Sequence, residues 1–100
     1  MKNLRFHEEA QAEFLAQVSY YEDAQVGLGD RFFKEVELAL ALAVQTPLLG
    51  APHQYRTRRV YPKRFPFSII YVIREVEVVI LAVAHFRRKP GYWRSRRNDT

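Results

Sequence analysis

The spacing of apolar residues changes near residue 50, and that change constrains the fold more than any single motif. Before it, apolar positions recur every three or four residues. Ala10, Phe14, Val18 and Tyr21 stand four, four and three apart, which places them on one face of a helix. Glu8 and Glu9 open that helix, where the positive end of its dipole favours carboxylates. The segment "VGLGD" breaks it with two glycines. A second helix is predicted from about Asp30 to Gln45, with Phe32, Phe33, Val36, Leu40, Ala43 and Val44 as its buried stripe. Leu38 and Leu42 fall off that stripe, either as flank packing or as an apolar patch for a partner. Helices joined by so short a turn pack as an antiparallel hairpin.

After a loop at Thr46–Pro52 the period becomes two. "QYRTRRVY", "FPFSIIYVIR" and "VVILAVAHF" read as three strands rich in β-branched and aromatic residues. "REVE" connects the last two tightly, so they form a hairpin. Phe67, Ile69, Tyr71 and Ile73 share one face, and Ile70 and Val72 lie on the other. A strand apolar on both sides is central and covered twice. "KNLRF" supplies a short first strand, and Pro90 suits the first turn of a short C-terminal helix. The expected order is β-α-α-β-β-β-α. This is an α+β fold, a helical hairpin on one face of a mostly antiparallel four-stranded sheet, in a single domain spanning residues 1–100. The other sheet face and the end of the last strand are expected to stay available.

Charge is divided along the chain. Residues 1–50 carry four Lys/Arg and eight Asp/Glu (−4), and residues 51–100 carry twelve and three (+9), giving the net +5. A positive half of this kind serves a polyanion, or merely solvates one side of a sheet. There is no cysteine, hence no disulfide framework and no thiolate site. His7, His53 and His85 lie far apart and make no H-x-x-x-H pair, so neither a metal nor another cofactor is expected. No apolar run reaches the ~18 residues of a membrane span, and "MKNLRFHEEA" lacks the apolar core of a secretory signal. The expected setting is cytoplasmic, without a membrane.

Six of the sixteen basic residues fall between Arg87 and Arg97. With Arg56, Arg58 and Arg59 on the second strand and Lys63 and Arg64 in the following turn, they converge on one region. Residues two apart on a strand share a face, which would point Arg56 and Arg58 together. The candidate target-binding residues are Arg56, Arg58, Lys63, Arg64, Arg87, Arg94 and Arg96. Guanidinium forks hold phosphates and aromatic rings stack on bases, so such a strip suits RNA or another phosphodiester.

His85 ends an apolar run on the expected side of Val79, Leu81 and Val83. It reads either as a strand-end histidine bonded to backbone or as a general acid or base titrating near neutral pH. Arg88 and Tyr92 are four apart and would share a face on a helical turn. A cation for a pentavalent phosphate and a tyrosine aiding proton transfer would suit RNA cleavage by 2′-hydroxyl attack. In the competing reading Arg88 pairs with an acid such as Glu22, and Tyr92 seals the core. Trp93 is expected to be buried where the tail docks, with Tyr92 more exposed.

"YYED…GLGDRFFKEVELAL", "TPLLG", "RRVYPKRFPFSIIYVI" and "ILAVAHFRRKPGYWRSR" resemble the RelE/ParE superfamily of bacterial type II toxins, whose members are often labelled plasmid stabilisation proteins. The most specific part is H-x-x-R-x-P-x-Y-W-x-x-R, here His85, Arg88, Pro90, Tyr92, Trp93 and Arg96. The resemblance implies a small growth-inhibiting toxin held inactive by a cognate antitoxin in a hetero-oligomer. RelE-like members cleave mRNA on the ribosome, without a metal. ParE-like members inhibit DNA gyrase without an enzymatic step of their own. "FPFSIIYVI" and "YW" look ParE-like, and the central strand lacks the lysines usual in RelE-like sites, so gyrase inhibition is the expected activity. If the chain is an endoribonuclease instead, His85, Arg88 and Tyr92 are its catalytic candidates. A basic nucleic-acid-binding domain without toxin activity is the third reading.

Overall fold

His7 starts the helical hairpin. Its backbone is extended, and its Nδ1 accepts the Glu9 N–H at 3.1 Å, capping helix α1 (Glu8–Ala24). The computed structural model, which describes residues 2–100, turns the chain at Gly27, whose φ of 87° is left-handed, and enters α2 (Leu28–Gln45). Helix α2 thus begins two residues before the expected Asp30. Glu22 explains the early start: its carboxylate accepts the N–H groups of Gly27 at 2.9 Å and Gly29 at 3.0 Å. Gly29 also allows close approach, since a Cβ there would meet the Val18 carbonyl. Glu22 approaches Gly29 while Phe14 stacks on Phe33, so the helices run antiparallel.

The sheet has five strands in the order β1-β5-β4-β3-β2: β1 (Asn3–Phe6), β2 (Ala51–His53), β3 (Thr57–Val60), β4 (Phe67–Ile73) and β5 (Glu77–His85). Only β1 against β5 is parallel. The α+β fold is as expected, with one strand more. The extra strand β2 comes out of the predicted loop and pairs Ala51–His53 with Arg59–Thr57. Its Pro52 is tolerated because β2 is an edge.

The expected strand "QYRTRRVY" is shorter than its pattern. Gln54–Arg56 forms a tight turn in which Tyr55 (φ 59°) and Arg56 (φ 60°) are both left-handed, and β3 begins only at Thr57. Arg56 and Arg58 therefore share no strand face. No helix starts at Pro90 either. Gly91 is left-handed at φ 76°, and a short 3-10 helix forms later, over Arg94–Asp99.

Two cores sandwich the sheet. On the helix side Phe14, Phe32, Val36 and Leu40 pack on Phe67, Ile69, Tyr71, Val78 and Ile80. On the other side Trp93 lies on Ile70, Val72, Val79, Leu81, Ala82 and Ala84. The tail thus covers much of the face expected to remain open. Strand β4 is central and buried on both faces, as its pattern predicted.

A bulge in β5 alters the expected alternation. Ile70 pairs with Ala82 but Tyr71 pairs with Ile80, leaving Leu81 without a partner. Val79 and Leu81 consequently face the tail, whereas Val83 joins the helix-side core. His85 follows Val83 and sets its ring edge-on to Phe67, with centroids 5.1 Å apart. The grouping of His85 with both Val79 and Leu81 is corrected by this bulge. Among the described residues no helix is long and apolar enough to cross a membrane.

Candidate functional site

Strand β5 outruns its neighbour. The β1–β5 pairing ends at Phe6 opposite Ile80, and His7 N–H bonds the Ile80 carbonyl at 2.9 Å. Beyond that point Leu81 and Val83 would present bare backbone on this edge, and such groups need partners when buried. Side chains supply them. Arg96 donates to the Leu81 carbonyl at 2.9 Å, and Glu13 accepts the Val83 N–H at 3.2 Å. These two residues also pair with each other, Arg96 Nη1 and Nη2 lying 2.9 and 3.0 Å from the Glu13 oxygens. Arg96 Nε adds Glu9 at 3.0 Å. The tail is thereby fastened to α1 and to the free edge of β5.

Tyr92 belongs to the same network and donates its hydroxyl to Glu13 Oε2 at 2.6 Å. Burial pushes the phenol pKa well above its ordinary value. The hydrogen bond to Glu13 and the Glu13 charge push the same way, against the smaller influence of Arg88 and Arg96. Arg88 lies over the ring, its Cζ 3.8 Å from the centroid, with Nη1 3.9 Å from Glu13 Oε2. The acid beside Arg88 is Glu13, not Glu22, which is committed to the helix turn. His85 Nδ1 accepts the Arg87 N–H at 3.0 Å, so the hydrogen bond assigns the ring proton to Nε2.

His85, Arg88 and Tyr92 line a cleft of about 560 Å³. His53, Arg59, Tyr61, Ile70, Ala84 and Trp93 line it as well. No Asp or Glu lines it, and Arg59 lies over Tyr61 at 5.5 Å. Trp93 is 2% exposed while Tyr92 is partly open, the order expected for the tail. The Tyr55 ring meets the Trp93 indole edge-on at 5.9 Å, and Arg94 lies over Tyr55 at 4.9 Å. Among the described residues no group of three or more His, Asp or Glu is placed to hold a metal ion.

The cations expected to face a target divide into two sets. Arg56, Lys63, Arg64, Arg87 and Arg94 are exposed. Arg58 is engaged inside the fold, donating Nη1 to the Gly50 carbonyl at 2.7 Å and the Leu48 carbonyl at 3.2 Å. Arg96 is 8% exposed and spent on Glu9, Glu13 and Leu81. His85, Arg88 and Tyr92 do line one cleft. Glu13 escaped the sequence reading, and Arg59, placed in the basic cluster but not among the target-binding candidates, lines the cleft. Glu13 sits three positions after Ala10 and one before Phe14, a carboxylate on the border of a buried stripe, which was the signal available for it.

The chain adopts the fold of a chain of the chromosomal ParDE TA system from P. aeruginosa, with TM-score 0.65 and 24% identity, covering 85% of this chain and 96% of that one. No curated protein sequence matches. The model of the family described as "ParE toxin of type II toxin-antitoxin system, parDE" matches residues 4–90, from β1 to the proline before Tyr92. The chain therefore belongs to the ParE toxin family of type II toxin–antitoxin systems.

Proposed function

We propose that the chain is the toxin of such a module and arrests growth by occupying a surface of DNA gyrase, without cleaving RNA. The commitment of Tyr92 carries this reading. Its only hydroxyl hydrogen is given to Glu13 at 2.6 Å, and its pKa is raised. A group so held is badly placed to take a proton from a 2′-hydroxyl. Arg88 lies over the same ring and His85 Nδ1 is occupied by backbone. The exposed cations Arg87, Arg88, Lys89 and Arg94 instead form a rim suited to steering and docking.

The nuclease reading keeps one supporting observation, that His85, Arg88 and Tyr92 share a cleft without acids. Two assays decide: DNA supercoiling by gyrase and mRNA cleavage on programmed ribosomes. Inhibited supercoiling with intact mRNA supports the proposal, and the opposite pair of results overturns it. The cognate partner would be an antitoxin, the pair acting in the cytoplasm. Its apolar anchors would lie along Leu38 and Leu42 on α2, which border a groove of about 410 Å³ reaching Tyr61 and Lys63.

A further inference from the structure

Both oxygens of Glu13 are met by donors from separate parts of the chain. Oε1 accepts the Val83 N–H at 3.2 Å and Arg96 Nη1 at 2.9 Å. Oε2 accepts the Tyr92 hydroxyl at 2.6 Å and Arg96 Nη2 at 3.0 Å, with Arg88 Nη1 at 3.9 Å. A guanidinium fork, a phenol and a backbone N–H are donors with which proteins hold oxyanions, Arg88 adds a nearby charge without a hydrogen bond, and an arginine fork fits phosphate as well as carboxylate. The other acid nearby is Glu9, on the far nitrogen of Arg96 and itself largely exposed. The Glu13 side chain keeps 16% exposure and Arg88 keeps 53%, so the seat has an opening to solvent.

We propose that Glu13 is an internal anion seated in an oxyanion site, and that this seat takes inorganic phosphate or a phosphomonoester once the carboxylate is withdrawn. The donors converge because the free edge of β5 and the buried Arg96 both need an acceptor there. Their geometry requires negative charge and two or more oxygens, not the particular backbone that supplies them. Glu13 is in this sense a positioning residue. It turns the Tyr92 hydroxyl and the Arg96 fork toward α1. The inference goes beyond the gyrase reading and does not depend on which macromolecule the tail meets.

The test compares wild type, Glu13→Ala and Glu13→Gln by thermal melting in sodium phosphate and in sodium chloride of equal ionic strength. NMR of ring-labelled tyrosine follows the Tyr92 titration in parallel. Glu13→Ala removes charge and volume. Its melting temperature should climb saturably by roughly 5–10 °C with phosphate, as expected for a ligand bound only by the folded state. Wild type should show no gain over chloride. Glu13→Gln fills the seat without charge and should show none either. In Glu13→Ala the Tyr92 pKa should fall toward its ordinary value and rise again on adding phosphate, which a purely structural role would not produce. An equal phosphate response in all three proteins overturns the proposal. So does a Glu13→Ala chain that stays unfolded in both salts, since a matching anion would then have failed to replace the carboxylate. Folding of that variant in phosphate alone supports it.

Discussion

His53 lies beside Trp93, ring centroids 5.9 Å apart and planes inclined by 39°. Burial lowers the imidazole pKa below 6.5, and the nearby Arg59 charge lowers it further. The folded state therefore disfavours protonated His53 relative to the unfolded chain. The sign follows: stability from this residue is present above about pH 6.5 and is lost as pH falls toward the lowered folded value. Melting temperature should decline on acidification through that window, and His53→Gln should flatten the decline. An unchanged slope in His53→Gln would assign the acid sensitivity to other groups.

The tail divides its work between neighbouring residues. Trp93 covers Ile70, Val72 and Leu81, so Trp93→Ala should cost roughly 3–5 kcal/mol. From the sequence alone Tyr92 looks almost dispensable for stability. Its hydrogen bond to the Glu13 carboxylate raises that expectation, and Tyr92→Phe should cost about 1.5–3 kcal/mol. Denaturant melts of the two variants check the order, and a larger loss in Tyr92→Phe would contradict this packing.

The hairpin and the central strands were legible because burial there follows a simple period: Ala10, Phe14 and Val18 at helical spacing, Phe67, Ile69 and Tyr71 at strand spacing. What escaped has no period. Strand β2 is three residues with a proline at its centre, held by pairing with β3 and not by an apolar face of its own. The β5 bulge turns Leu81 and Ala82 toward the same core, an irregularity that continuous apolar text conceals. "RSRR" reads as solvated charge, yet Arg96 is buried because Glu13 and the Leu81 carbonyl, both distant in sequence, neutralise and bind it. Long-range polar pairings of that kind leave no mark in local spacing.

Tyr71 donates its hydroxyl to the Pro47 carbonyl and fills the space beside Gly50. A Cβ at position 50 would collide with the phenol, although the backbone there (φ −62°) is open to any residue. Gly50→Ala should destabilise by about 1–3 kcal/mol through overpacking. Gly50→Ala combined with Tyr71→Phe should recover part of the loss, and absence of recovery in melts would place the strain elsewhere.

Leu38 and Leu42 are 62% and 50% exposed. Leu38→Asp and Leu42→Asp should therefore change stability by no more than about 0.5 kcal/mol. If an antitoxin anchors there, each should weaken its binding at least tenfold by titration calorimetry and leave growth arrest unrelieved on co-expression. Full neutralisation of both variants would move the antitoxin to another surface.

The two toxin mechanisms separate most cleanly at the tail. A nuclease needs proton transfer, and losing a positioned acid or base typically costs 10²–10⁴-fold. Gyrase inhibition needs a complementary surface and no proton transfer. His85→Ala should then leave inhibition of supercoiling within about threefold, because the imidazole contacts Phe67 and local backbone. Charge reversals Arg87→Glu and Arg94→Glu should abolish inhibition, since both side chains are exposed and unpaired with any acid among the described residues. Arg96 is the wrong residue for this experiment, because reversing a buried cation held by Glu13 would unfold the tail and mimic a lost target contact. Supercoiling assays over a range of salt add a check, as docking through rim charges weakens with ionic strength. Inhibition that survives both reversals would move the gyrase contact off this rim, whereas mRNA cleavage that disappears with His85→Ala would return the chain to the nuclease reading.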